Sequence, residues 1–132
     1  MNPKKIWSNL AVADLDRTIK FYTALGFRPN GKPNEELCSF LVGEDNFVLH
    51  FFLSDVLARS IKGELADTQK VNELLYTLSA SSKEEVDSWE EEIRQAGGSV
   101  ISQAEAFGPG YYGFLFADPD GHRYNVFYME GL

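Results

Sequence analysis

The chain has 132 residues, of which 44% are hydrophobic, and its formal net charge is −8. This length and composition predict one packed domain, and the acidic charge argues against a nucleic-acid partner, because the phosphate backbone requires a basic surface. No apolar run reaches the roughly 18 residues of a membrane span. The N-terminal stretch also lacks a signal-peptide core, so we expect a cytoplasmic protein with no membrane contact. The single cysteine, Cys38, excludes an internal disulfide, and its apolar neighbours are typical of a core residue.

The first half of the chain reads as a strand, a helix and two further strands. Residues 6–12 alternate as a half-buried strand does, and Asp14 is placed to cap a helix that Gly26 ends. Leu15, Ile19, Tyr22 and Leu25 recur on one face of that helix. The pattern then predicts a polar loop at 29–36, followed by two strands at 37–42 and 47–53. A tight turn at 43–46 joins the two strands.

Residues 54–70 are ambiguous. Val56, Leu57, Ile61 and Leu65 could line a short amphipathic helix, but the segment could equally be a linker between two halves or a lid. We place module one at about 1–55, the linker or lid at about 56–70 and module two at about 71–132, all within a single domain.

The second half restarts the same pattern. A strand over 73–80 precedes Ser82 and Glu85, which match a capping box, and a helix that Gly97 ends. A short strand near 99–102 and an aromatic, glycine-rich loop at 107–113 follow. A type I turn at 118–121 then leads into a last strand over about 122–129.

The halves are therefore an internal repeat. Asp14 and Ser82 lie 68 residues apart, and the hairpin turns lie about 75 apart. These offsets pair Trp7 with Leu75 and His50 with Asn125, so we expect a pseudo-two-fold to relate the four positions. By strand alternation, His50 shares a face with Val48 and Phe52, while Asn125 shares one with Arg123 and Phe127.

Two stretches resemble a known family. NLAVADLDRTIKFYTALGF, residues 9–27, is similar to the opening of the glyoxalase, bleomycin-resistance and extradiol-dioxygenase superfamily, whose members are also called vicinal oxygen chelate proteins. FADPDGHRYNVF, residues 116–127, resembles its closing motif. The resemblance implies an α+β fold of two βαβββ modules forming a cupped mixed-sheet half-barrel with helices outside, a ligand cavity within and a homodimer.

The resemblance also implies where a metal would bind. Metal-dependent members place His or Glu at positions that correspond here to Trp7, His50, Leu75 and Asn125. Trp and Leu do not ligate metals, Asn is a weak neutral donor, and His122 falls on the strand face opposite Asn125. We therefore expect no cofactor and no family-type metal; the alternative is a divalent metal bound through a different register or with a ligand from a partner chain.

The remaining candidates could bind or transform a small molecule. His50 could act as a general base or hydrogen-bonding group, Arg123 could anchor an anion, and the aromatic residues could line an apolar cavity. Each also has a structural explanation, as a satisfied core histidine, a surface charge or plain packing. Tyr111 and Tyr112 could form an aromatic gate or a structural loop. The predicted ligand-binding set is Trp7, His50, Phe52, Leu75, Tyr112, Arg123, Asn125 and Phe127, with His50 as the catalytic candidate.

Three functions remain open at this stage. The first is metal-free binding of an apolar or aromatic small molecule, as in the bleomycin-resistance branch. The second is a metal-dependent lyase or isomerase resembling lactoylglutathione lyase, or a dioxygenase. The third is a metal-independent epimerase or hydrolase that uses His50 and Arg123.

Overall fold

The structure, a computed structural model, describes all 132 residues and divides into two compact units, 1–65 and 66–132. Each unit has a four-stranded mixed sheet. The elements of unit 1 are β1 Trp7–Val12, α1 Leu15–Ala24, β2 Arg28–Pro29, β3 Leu37–Val42, β4 Phe47–Leu53 and α2 Ser54–Ile61. Those of unit 2 are β5 Leu75–Ser79, α3 Lys83–Ala96, β6 Ser99–Ala106, β7 Tyr111–Ala117 and β8 Arg123–Met129. None of the three helices combines the length and apolar character that crossing a membrane would require.

The two sheets have the same topology. Their strand orders are β1-β4-β3-β2 and β5-β8-β7-β6, and in each the first strand pairs in parallel with the last while the other pairs are antiparallel. This confirms the α+β class and the two βαβββ modules. The repeat offsets are consistent with the strand registers. Trp7 pairs with Val48, two residues before His50. Leu75 pairs in the same way with Arg123, two residues before Asn125.

The core of unit 1 lies between its sheet and α1. Asp14 caps this helix by accepting a hydrogen bond from the backbone N–H of Arg17 at 3.0 Å, as its sequence position predicts. Tyr22 is fully buried and its ring stacks on Phe51 with centroids 4.6 Å apart. Cys38 is also buried, and burial raises the pKa of its thiol to about 11, so it behaves as a small core residue.

The core of unit 2 lies between its sheet and α3. Ser82 accepts a hydrogen bond from the backbone N–H of Glu85, as predicted, but the Glu85 carboxylate accepts from the N–H of Ser81 rather than that of Ser82. The reciprocal capping box is therefore displaced by one residue. The aromatic rings of Phe116 and Tyr124 stack at 4.8 Å and are fully buried beneath this helix face.

The turn between β7 and β8 is built around Asp118. Its carboxylate accepts hydrogen bonds from the backbone N–H groups of Asp120 and His122 and from Nδ1 of His122, at 3.0, 2.9 and 2.7 Å. The N–H of Gly121 donates to the carbonyl of Asp118, which confirms the predicted turn. All of these side chains are buried, so this turn is part of the core of unit 2.

Several boundaries differ from the sequence prediction. The loop predicted at 29–36 contains the end of β2, whose Pro29 pairs with Phe40, and β6 extends to Ala106 instead of ending near 102. The last strand begins at Arg123 because His122 belongs to the turn. The segment predicted as a helix, linker or lid is helical only in its first part, as α2.

Candidate functional site

The exposed face of the unit 1 sheet carries the first set of predicted residues. On β4, Leu49 and Phe51 are buried under the helix, whereas Val48, His50 and Phe52 alternate onto the opposite face and are only partly buried. We call that opposite face the open face of unit 1. Trp7 on β1 lies on this face too, since it pairs with Val48.

His50 is held from one side by a chain of polar side chains. Its Nδ1 lies 2.8 Å from Oγ of Ser39, its direct partner across β3 and β4. Nδ2 of Asn30 donates to the same Oγ at 3.0 Å, and the backbone N–H of Asn30 donates to the carbonyl of Ser39 at 2.9 Å. The imidazole orientation is therefore fixed by two residues of neighbouring strands and loops.

Two aromatic rings flank this imidazole. The Trp7 and Phe52 ring centroids lie 6.3 and 6.1 Å from that of His50, both in edge-on arrangements. Burial lowers the pKa of His50 below its usual value, because an apolar setting disfavours the charged form. At neutral pH this histidine is consequently a neutral hydrogen-bonding group beside apolar rings.

The open face of unit 2 carries the second set. Arg123, Asn125 and Phe127 alternate onto one face of β8, while Tyr124 and Val126 are buried under α3. Leu75 pairs with Arg123 from β5, and half of its surface is exposed. We call this the open face of unit 2.

A shallow cavity of about 530 Å³ lies on this open face. It is lined by Thr77, Phe107, Gly108, Tyr111, Asn125 and Phe127. The Tyr111 ring stacks between those of Phe107 and Phe127, with centroids 5.9 and 5.7 Å apart and planes tilted by 18° and 23°. The cavity thus offers a wall of three stacked rings beside one amide and one hydroxyl.

Tyr112 is the predicted site residue that the structure places elsewhere. It pairs with Tyr128 on the α3 side of the sheet, and its hydroxyl donates to Oδ1 of Asp87 at 2.6 Å. This hydrogen bond, with burial and the nearby carboxylates, raises the pKa of Tyr112 to about 12. Its neighbour Tyr111 occupies the cavity position instead.

Sequence reasoning did not identify Phe107, Thr77, Ser39 or Asn30. Thr77 could have been found from alternation, because it pairs with Asn125 on the neighbouring parallel strand. Asn30 could not, because its contact with Ser39 depends on a two-residue strand that carries no alternation pattern of its own.

The donor set does not fit a family-type metal. Of the corresponding positions, Trp7 and Leu75 have no ligating atom, which leaves one imidazole and one neutral amide. No group of three or more His, Cys, Asp or Glu side chains is placed to hold an ion. A stable divalent site needs more strong donors on one surface than these four positions supply.

Comparison with known proteins is consistent with the topology. Residues 7–126 match the family model described as the glyoxalase/bleomycin resistance protein/dioxygenase superfamily. A hypothetical protein from S. aureus is 28% identical, with a TM-score of 0.86 over 97% of this chain and 95% of that one. No curated protein matches the chain at a significant level.

More distant structures share the fold. Lactoylglutathione lyase from Agrobacterium tumefaciens is 21% identical, with a TM-score of 0.69 over 96% of this chain and 95% of that one. The fosfomycin resistance protein FosX from Listeria monocytogenes is 18% identical, with a TM-score of 0.72 over 97% and 92%. Because the family model spans nearly the whole chain, this protein belongs to the glyoxalase/bleomycin resistance/dioxygenase superfamily.

Proposed function

We propose that this protein binds a small aromatic ligand in the cavity of unit 2, without a family-type metal. The observation that carries the proposal is the stack of Phe107, Tyr111 and Phe127 along an open cavity. Phe107 and Tyr111 are 43% and 37% exposed, so a ligand that covered them would bury further apolar surface. A flat ring would extend the existing stack.

Polar groups at the same cavity would orient the ligand. Asn125 supplies both a donor and an acceptor, and Thr77 supplies a hydroxyl, so a substituent of either kind could be matched. The guanidinium of Arg123, on the same face of β8, forms no hydrogen bond or ion pair within the chain. A partly buried cation without a carboxylate supports a ligand that bears an acidic group.

The test compares two adjacent tyrosines. Tyr111→Leu keeps the cavity apolar but removes the central ring, whereas Tyr112→Leu makes the same chemical change on the other face of the sheet. With 2-naphthamide as the probe, we expect Tyr111→Leu to weaken binding by about 2- to 12-fold, the equivalent of the roughly 0.5–1.5 kcal/mol of a ring pair. Tyr112→Leu should bind as the wild type does. Equal affinity in both variants, or no binding of the probe to the wild type, would contradict the proposal.

A metal-dependent lyase or dioxygenase is the alternative function. It would require donors that Trp7 and Leu75 do not provide, and calorimetric titration with Ni²⁺, Zn²⁺, Mn²⁺ and Fe²⁺ tests it directly. We expect that none of these ions binds stoichiometrically through His50. One ion per chain, lost in His50→Ala, would replace metal-free binding by the enzyme hypothesis.

A metal-independent acid–base enzyme is favoured by one specific observation. His50 has the lowered pKa and the fixed Nδ1 contact that a proton-transfer residue needs. A reaction of this class would be lost in His50→Gln with the fold intact. Retained turnover in that variant would exclude His50 as its acid–base group.

A further inference from the structure

The hydrogen-bond chain at His50 fixes more than the orientation of its ring. A serine hydroxyl has one hydrogen to donate and two lone pairs that accept. Oγ of Ser39 already accepts from Nδ2 of Asn30, and its remaining partner is Nδ1 of His50. If Nδ1 carried the proton, the Ser39 hydroxyl would have no acceptor within the chain and would depend on solvent for one. The favoured arrangement therefore runs in one direction, from Asn30 to Ser39 to His50.

That direction sets the state of the other ring nitrogen. When Nδ1 accepts from Ser39, the proton of a neutral imidazole resides on Nε2. Nε2 has no hydrogen-bond partner within the chain and is not sealed from solvent. It is thus an N–H donor that remains available to a bound molecule.

The surroundings suit a ligand with an apolar body. The rings of Trp7 and Phe52 stand edge-on on either side of the imidazole, and Trp7 is 50% exposed. A hydrogen bond made beside such rings is stronger than one in water, because the local dielectric constant is lower.

We propose that the open face of unit 1 carries a ligand-binding site in which Asn30 and Ser39 hold His50 as a fixed Nε2–H donor. The ligand class is an uncharged molecule that presents a carbonyl oxygen next to an apolar or aromatic group. In this role Asn30 is a positioning residue, which acts through Ser39 and does not touch the ligand. The proposal concerns unit 1 alone and does not rest on the cavity of unit 2.

The first experiment reads the tautomer directly. Long-range ¹H–¹⁵N correlation spectra of the full chain at pH 8.5, where His50 with its lowered pKa is neutral, distinguish protonated from unprotonated ring nitrogens. The chain has two histidines, and His50→Gln assigns the signals. His122 is an internal reference of the opposite kind, since its Nδ1 donates to the Asp118 carboxylate. We expect a protonated Nε2 in His50 and a protonated Nδ1 in His122.

A substitution at Asn30 should invert the His50 signal. In Asn30→Asp the carboxylate can only accept, so the Ser39 hydroxyl turns towards it and Oγ accepts from Nδ1–H of His50. Asn30 is exposed and its backbone hydrogen bond to Ser39 does not depend on the side chain, so we expect the fold to be unchanged. Ser39→Ala should leave a mixture of tautomers, and Ser39→Thr, which keeps the hydroxyl, should restore the wild-type form.

The second experiment reads binding. Acetophenone, titrated into the protein, should shift the His50 ring signals of the wild type and of Ser39→Thr. In Asn30→Asp, where Nε2 no longer donates, affinity should fall by about 2- to 12-fold, the equivalent of one hydrogen bond of roughly 0.5–1.5 kcal/mol. A protonated Nδ1 in the wild type, an unchanged tautomer in Asn30→Asp, or equal or absent acetophenone binding in the two proteins would overturn the proposal. Loss of 2-naphthamide binding at unit 2 would leave this proposal for unit 1 unaffected, so each of the two proposals can fail without the other.

Discussion

The two units have the same βαβββ topology but present different open faces. Unit 1 places a single histidine between two edge-on rings and holds it with a chain of neutral polar groups. Unit 2 places an amide at the corresponding position, beside a wall of stacked rings and on the same strand face as an arginine. Topology therefore fixes where side chains can meet, and the residues at a few alternating positions decide what each face can bind.

The two hairpin turns show a second contrast, in burial. The turn of unit 1 at 43–46 is exposed and is held by Arg28, whose Nη2 donates to the carbonyl of Gly43 and to Oδ1 of Asn46. The turn of unit 2 is buried around Asp118. It is also covered from outside, because Oγ1 of Thr68 donates to the carbonyl of Asp120 at 2.6 Å.

The largest effect we predict breaks this second contrast. Gly43 and Gly121 both have positive φ, 71° and 90°, but a Cβ at Gly43 would meet nothing, whereas one at Gly121 would lie 2.3 Å from the carbonyl oxygen of Thr68. Gly43→Ala should cost about 1–2 kcal/mol for the left-handed conformation. Gly121→Ala should cost about 1–3 kcal/mol more, because backbone must move. Urea denaturation of both variants measures the difference, and equal losses of stability would show that the backbone of Thr68 and Gln69 does not restrict the turn.

The second prediction tests the charge on the open face of unit 2. Arg123→Gln should weaken 2-naphthoate binding by about 12- to 160-fold, as expected for a charge-assisted hydrogen bond of roughly 1.5–3 kcal/mol. Binding of the matched neutral probe, 2-naphthamide, should be unchanged. Glu105 also falls on the open face of unit 2, because it pairs with Gly113, which pairs with Phe127. This position is near the opposite end of the strands from Arg123. If 2-naphthoate and 2-naphthamide lose affinity equally in Arg123→Gln, Arg123 supports the cavity wall and does not bind the carboxylate of the ligand.

The fold was predictable because its local signals agree. Asp14 and Ser82 cap their helices, and the turn at Asp118 forms as its residues predict, so the repeat could be aligned and the four corresponding positions named. Alternation along β4 and β8 then assigned His50, Asn125 and Phe127 to their faces.

Other parts of the site were beyond sequence reasoning for physical reasons. Glycines flank the tyrosine pair at 111–112, so no apolar alternation fixes which ring faces the cavity, and the Asp87 hydrogen bond that draws Tyr112 away crosses from a helix. Asn30 reaches Ser39 only through the pairing of β2 with β3. Both contacts are tertiary, and neither leaves a trace in the spacing of residues along the chain.

The third prediction tests the apolar setting of His50 on the open face of unit 1. Burial lowers the pKa of His50, so the unfolded chain binds this proton more readily than the folded one. Above the unfolded pKa of about 6.5, His50 is neutral in both states and its protonation does not lower the free energy of unfolding. As pH falls below that value towards the folded pKa, the free energy of unfolding declines. His50→Gln should lose less stability than the wild type between pH 7.5 and 5. An identical decline in urea denaturation would mean that His50 protonates freely in the folded chain.

The smallest effect we predict concerns Tyr112 and Asp87. Their hydrogen bond lies at the surface on the helix side of unit 2, where water competes for both groups. Tyr112→Phe should therefore cost about 0.5–1 kcal/mol, and a double-mutant cycle with Asp87→Asn isolates the coupling between the two side chains. The raised pKa of about 12 means that this contribution is present below the unfolded value of about 10 and declines as pH rises through 12. Binding of 2-naphthamide should not change in Tyr112→Phe, because the ring lies across the sheet from the cavity. A loss of affinity in this variant would place Tyr112 with the ligand, and the distinction between the two tyrosines, on which the assignment of the cavity wall depends, would no longer hold.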